Sequence, residues 1–152
     1  MIPVVRVTRP TRPVRLLETG WLALRMTAWR AALPVAKHLL PLPTLVRAAV
    51  RRPRCSVRCP DRERRVVSLA RCVCEAGSLT APNCLERSLI TFRFLSELGA
   101  RPTLIVGFKR QAGAVGGHVW VEVDGQVVGE DPPQSYGFTP LTVFSSEGVP
   151  GA

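Results

Sequence analysis

A change in hydrophobic period after residue 98 limits the possible folds more than any other feature. Residues 84–98 carry apolar side chains at helical spacing, whereas residues 103–108 form a short apolar run and residues 118–123 alternate between two faces. Regular structure is expected to end at Pro132–Pro133. The pattern predicts an α+β fold, in which helices come first and a helix that carries Cys84 packs on a small antiparallel sheet.

The first half of the chain carries helical patterns that prolines interrupt. Residues 14–50 have apolar side chains at helical spacing. Pro34 and the Pro41–Leu42–Pro43 step predict a break into two or three helices. Asp61 is predicted to be the N-cap of the helix that follows.

Positive charge is concentrated in this half. Residues 1–83 carry sixteen basic and four acidic side chains, a net charge of +12, whereas residues 84–152 carry five and seven, a net charge of −2. Aromatic residues make up only 6% of the chain, and its basic residues lack zinc-finger or helix-turn-helix spacing, so no nucleic-acid partner is expected. We divide the chain into a basic, apolar N-terminal helical segment at residues 1–58 and a core at residues 59–152.

The five cysteines are expected to be reduced. Residues 1–14 contain arginines and prolines but no apolar stretch typical of a secretory signal, and prolines and charges break the later apolar stretch. These features predict a cytoplasmic protein. The spacings Cys55-x3-Cys59 and Cys72-x-Cys74 fit no common zinc pattern, so neither a metal nor a cofactor is expected.

Cys84 and His118 are a candidate nucleophile and a candidate base. Cys84 begins a predicted helix, whose positive end favours a thiolate. His118 follows an expected glycine-rich loop at residues 111–117 and begins a strand, on the face opposite the valines. A thiol and an imidazole in this order suit nucleophilic catalysis. Trp120 and Glu122 share the face of His118 and are predicted to line a substrate groove.

An acid that orients the imidazole would complete the site, and its identity depends on the hairpin turn at Asp124–Gly125. A two-residue turn would place Asp131 beside His118. A type I turn with a glycine bulge would shift the register by one residue and place Glu130 there instead. The turn signal alone leaves both acids open.

Four runs in the second half resemble the transglutaminase-like cysteine peptidases of lasso-peptide biosynthesis. They are NCLERSL at residues 83–89, LGA at 98–100, LIVGF at 104–108 and HVWVEVDG at 118–125. The resemblance covers about residues 60–140. Chain length and the basic, apolar N-terminal helices are similar to those of the split, protease-only form of that family.

The resemblance implies a transglutaminase/papain-like core that cleaves the leader peptide from a ribosomally made lasso-peptide precursor. It implies that Cys84 is the nucleophile and His118 the general base. The family's acid usually lies twelve residues after the histidine and is commonly Asp; here that position is Glu130, with Asp131 as the alternative. The implied partners are the precursor peptide, a separate leader-recognition protein and a macrolactam-forming cyclase.

Two other functions stay open on the sequence. The fold could serve as a non-catalytic docking module that links the precursor to the cyclase. Alternatively, the same three residues could catalyse acyl transfer instead of hydrolysis.

Overall fold

Within the residues that the structure describes, four helices are followed by five strands. The computed structural model describes residues 12–54, 57–76, 83–111, 114–130 and 135–151. The elements are α1 (Arg12–Leu39), α2 (Leu42–Ala49), α3 (Pro60–Glu75), α4 (Cys84–Glu97), β1 (Thr103–Gln111), β2 (Ala114–Val123), β3 (Gln126–Val128), β4 (Thr139–Phe144) and β5 (Pro150–Gly151). The strands form one antiparallel sheet in the order β3-β2-β1-β4-β5. This arrangement confirms the predicted α+β class.

Pro34 does not break the first helix, so the expectation of a break at this position was wrong. Helix α1 continues through Pro34 because it is held on both sides of the proline. Leu33 is buried in the core, and the Lys37 ammonium lies 2.8 Å from the carboxylate of Glu86 on α4. Among the helices that the structure describes, none is long and apolar enough to cross a membrane.

The predicted N-cap of α3 was also wrong. Cys59 occupies the N-cap position and Pro60 begins the helix. Proline is favoured at the first helical position because its fixed φ suits the helix and its missing N–H would have no partner there. Asp61 therefore lies in the first turn, where its carboxylate pairs with Arg64.

The sheet is larger than the sequence indicated. Strands β1 and β2 extend to Gln111 and back from Ala114, so most of the expected glycine-rich loop is paired strand. Regular structure also resumes after the prolines at 132–133, which lie outside the described residues. Strand β4 pairs with β1, and its proline, Pro140, lies opposite Gly107 where the register shifts. A proline is tolerated in a sheet at such an irregularity, because the ladder is already interrupted there.

One core joins all the layers. The face of β2 that carries Val119, Val121 and Val123 packs against α4, as the alternation predicted. The same cluster includes residues of the N-terminal helices: Met26 and Leu33 of α1, and Leu45, Val46 and Ala49 of α2. The boundary between residues 58 and 59 stays a prediction, and residues on both sides of it share this core.

We predict that Met26→Ala lowers the free energy of unfolding by about 2–5 kcal/mol, because Met26 is fully buried and its loss leaves a cavity. Leu24→Ala is the matched control on the same helix. Leu24 is 59% exposed, and its replacement should change stability by no more than about 0.5 kcal/mol. Urea unfolding monitored by circular dichroism measures both. Equal, small effects would contradict the packing of α1 on the core.

Candidate active site

Cys84 is the first residue of α4. Asn83 caps the helix, since its side-chain oxygen accepts a 3.0 Å hydrogen bond from the backbone N–H of Leu85. The side chain of Cys84 is partly exposed. The helix start thus presents a thiol that a substrate can reach, next to backbone N–H groups that point out of the helix end.

A buried hydrogen bond fixes this end of α4 against β2. The Ser88 hydroxyl donates to the carbonyl oxygen of Val119 over 2.8 Å. Ser88 lies four residues after Cys84, on the same side of the helix. Val119 directly follows His118 in β2. The bond therefore holds the helix turn that carries the thiol beside the part of the strand that carries the imidazole.

His118 forms a buried pair with Glu130. Nε2 of the imidazole lies 2.6 Å from the Glu130 Oε1, and the two side chains are only 8% and 3% exposed. An ionised carboxylate only accepts hydrogen bonds, so Nε2 carries the proton shared in this pair. Nδ1 is then the ring nitrogen that is able to accept a proton from a thiol.

Two further groups hold the carboxylate of Glu130. The backbone N–H of Ser135 donates to Oε2 over 3.1 Å. The Arg87 guanidinium lies 3.6 Å from Oε1. Arg87 belongs to the first turn of α4, so it links the helix of Cys84 to the acid. The sequence offered Glu86 or an acid on the sheet as the partner of Arg87 and indicated no role for it, because helical spacing does not show which acid lies within reach.

The hairpin explains how Glu130 reaches His118. Asp124 and Gly125 form a two-residue turn with φ values of 53° and 75°, which is the type I′ geometry rather than a type I turn with a bulge. If β2 and β3 had stayed paired in this register as far as His118, Asp131 would lie beside it. Pairing instead ends with β3, and Gly129, at φ 81°, redirects the chain so that Glu130 turns towards the imidazole. Asp131 lies outside the described residues.

Aromatic rings flank the imidazole. The ring of Trp120 stacks beside His118 at 16° and 6.0 Å between centroids, and the ring of Phe138 lies on it at 43° and 5.2 Å. Gly107 makes room for this arrangement, because a Cβ there would lie 2.7 Å from the Trp120 ring. Sequence reasoning missed Phe138, which follows the prolines that were expected to end regular structure and lies in no periodic pattern.

Trp120 and Glu122 lie together, as their shared face predicted. The indole N–H of Trp120 donates to the Glu122 carboxylate over 2.9 Å. Both residues line an open groove whose far side includes Tyr136, which is 84% exposed. That this groove receives substrate stays a prediction.

The other described cysteines differ from Cys84 in position. Cys59, Cys72 and Cys74 are free thiols like Cys84. Cys74 is buried in the core, and this burial raises the pKa of its thiol, which keeps it protonated and poorly nucleophilic. Within the described ranges, no group of three or more His, Cys, Asp or Glu side chains is placed to hold a metal ion. Cys55 lies outside those ranges.

A helix that begins with cysteine packs on an antiparallel sheet whose strand carries an acid-paired histidine, and this arrangement suits thiol chemistry. A family profile for the transglutaminase-like superfamily matches residues 25–143, a range that includes Cys84, His118 and Glu130. The chain therefore belongs to the transglutaminase-like superfamily, whose members are typically cysteine proteases or acyltransferases. No curated protein and no solved structure matches the chain.

We predict that Glu130→Ala lowers the free energy of unfolding by about 3–5 kcal/mol, because it leaves the His118 N–H and the Arg87 guanidinium without their buried carboxylate. Glu130→Gln keeps an acceptor and should cost less. Urea denaturation at neutral pH measures the difference. Glu147→Ala, at an exposed acid, serves as the control, and a Glu130→Ala variant as stable as this control would contradict the pairing.

Proposed function

We propose that this protein is a cysteine peptidase that removes the leader peptide from a ribosomally made lasso-peptide precursor. The observation that carries the proposal is the 2.6 Å contact between His118 and Glu130, on a strand fixed against the helix that Cys84 begins. Membership of the transglutaminase-like superfamily supports the peptidase chemistry. The resemblance of residues 83–89 and 118–125 to lasso leader peptidases supports the substrate class.

In the first half of the reaction, Nδ1 of His118 accepts the thiol proton as the Cys84 sulfur attacks the scissile carbonyl carbon. The backbone N–H of Cys84 is the proposed donor to the developing oxyanion. Glu130 stabilises the imidazolium through Nε2. The imidazolium then gives its proton to the leaving amine, the C–N bond breaks, and the leader stays attached to Cys84 as a thioester.

In the second half, His118 takes a proton from a water molecule while the water oxygen attacks the thioester carbonyl. The C–S bond breaks, Cys84 regains its proton, and the leader leaves as a carboxylic acid. The sum is hydrolysis of one peptide bond. The core peptide carries the released amine, which is the group that a macrolactam-forming cyclase needs. The precursor, a separate leader-recognition protein and this cyclase are therefore the proposed partners.

Cys84→Ala should abolish leader removal, because alanine has no nucleophile. Mass spectrometry of a cognate precursor mixed with its leader-recognition protein measures the cleaved product, and we expect a loss of at least about 10³-fold. Cys72→Ser, which alters an exposed thiol on α3, is the matched control and should cleave like the wild type. Leader removal by the Cys84→Ala variant would instead favour a docking module that leaves the chemistry to another protein.

Phe138→Leu should lower kcat by about 10–100-fold with little change in KM, because the imidazole loses a ring that fixes its orientation. Leu141→Ala, at an exposed apolar residue of β4, is the control and should keep kcat. The pH profile of kcat separates positioning from simple destabilisation, since a change of imidazole environment moves the profile. An unchanged kcat and pH profile would show that Phe138 does not position His118.

Acyl transfer is the second candidate function, because members of the superfamily also include acyltransferases. The thioester on Cys84 would then react with an amine in place of water. A glutamine-containing peptide incubated with a primary amine tests this alternative. Amine-exchange products in the mass spectrum would favour the transferase, whereas hydrolysis alone would exclude it.

A further inference from the structure

A groove of about 450 Å³ lies between α1 and α3, above the C-terminal half of α4. Its floor and walls are mainly apolar, and they include Trp21 and Leu22 of α1, Leu69 of α3 and Phe94 of α4. Arginine side chains from α1, α3 and the segment after α2 surround it, and we call it the Arg-rimmed groove. A concave apolar surface between two helices has the shape that receives a third helix.

The apolar surface continues from the groove onto the exposed side of α1. Trp21 is 62% exposed, although it lies in the groove wall. Leu17 and Leu24, four residues before it and three after it, are 76% and 59% exposed. Residues at this spacing share one helix face. Together they form a contiguous apolar patch, and such patches on soluble proteins mark interaction sites.

Positive charge dominates the rim. Four guanidinium groups line the groove, those of Arg25, Arg54, Arg62 and Arg65, against the carboxylates of Glu18 and Glu97. The carboxylate of Glu97 is already paired within the protein. Its side chain is 6% exposed and lies 2.5 Å from Arg25 and 3.7 Å from Arg54. Arg62 and Arg65 are exposed and lie one helical turn apart on α3, at the rim of the groove.

The pKa of Arg93, which lies near the same end of α4, also indicates an excess of positive charge in this region. Burial lowers the pKa of Arg93, the positive charges of Arg51, Arg25 and Arg54 act in the same direction, and Glu97 opposes them; together they bring it to about 10. These guanidinium groups are close enough to repel one another. A ligand that brings carboxylates to this end of the molecule relieves that repulsion.

The groove is separate from the candidate active site. Cys84 begins α4, whereas Phe94 and Glu97 lie near its other end. At the axial rise of an α-helix, these positions are about 15–20 Å apart. The partners described above for His118 and Glu130 include none of the groove residues named here. The proposed role of the groove therefore does not depend on the proposed peptidase activity.

We propose that the Arg-rimmed groove binds an acidic amphipathic helix presented by a second protein. The apolar side of that helix contacts Trp21 and Leu69, and its carboxylates pair with Arg62 and Arg65. A second copy of this chain fits poorly, because it would bring an equally basic surface against the rim. A helix fits better than a flat lipid surface, because the apolar floor is recessed between α1 and α3.

Fluorescence anisotropy on the full chain tests this proposal. The probe is a fluorescein-labelled amphipathic peptide of about 18 residues, long enough for appreciable helicity, with leucine on one face and glutamate beside it. Its counterpart carries lysine at every glutamate position. We expect the acidic peptide to bind, with an affinity that falls as salt rises, and the basic peptide not to bind.

Two variants locate the binding. The double variant Arg62→Glu/Arg65→Glu should lower the affinity for the acidic peptide by about tenfold or more, because two attractive charge pairs become repulsive. Arg64→Glu reverses one charge on the same helix outside the groove, and should bind like the wild type. Turnover of a short peptide that spans the scissile bond should be unchanged in the double variant, which separates this proposal from the proposed function.

Several results would overturn the proposal. Failure of the acidic peptide to bind, equal binding of both peptides, or unchanged affinity in the double variant would each do so. Concentration-dependent dimers in sedimentation, lost in Trp21→Ala, would assign the groove to a second copy. Binding to phosphatidylserine vesicles, without binding to the acidic peptide, would assign it to a lipid surface.

Discussion

The packing of α4 on β2 is the contact on which the rest of the structure depends. Most residues of the helix after its first turn are buried, and the Ser88 hydroxyl donates a hydrogen bond to the Val119 carbonyl oxygen. A polar pair in such a buried position is satisfied in only one register of helix against strand. That register decides which helix turn lies beside His118. The site is therefore fixed by core packing as well as by its own side chains.

The same helix separates two kinds of surface. Its first turn carries Cys84 and, through Arg87, reaches the acid that orients the imidazole. Its last turns support the apolar, basic groove against α1 and α3. The proposed recognition surface and the candidate active site therefore lie at opposite ends of one helix.

The sequence predicted elements wherever one hydrophobic period was strong. The helix after Cys84 and the alternation of β2 were correct because the apolar side chains of each recur at a single period. Strand β4 was missed because Pro140 and exposed residues weaken its pattern. The helix break at Pro34 was wrong because tertiary contacts on both sides outweigh the local cost of a proline. Propensity is local, and packing overrode it in both cases.

For the candidate site, the sequence indicated which residues to consider but not how they meet. Cys84 and His118 stood out by their places in their elements. The turn argument alone could not choose the acid, since the outcome depends on where pairing ends rather than on the turn type. The contacts of Arg87 and Phe138 join segments far apart in the chain, and no spacing in the sequence encodes them.

Gly129 separates the position of the acid from the register of the sheet. Because the chain leaves the sheet at Gly129, Glu130 approaches the imidazole from a segment that is not paired as a strand. The number of paired residues in the hairpin therefore does not by itself set which acid meets His118.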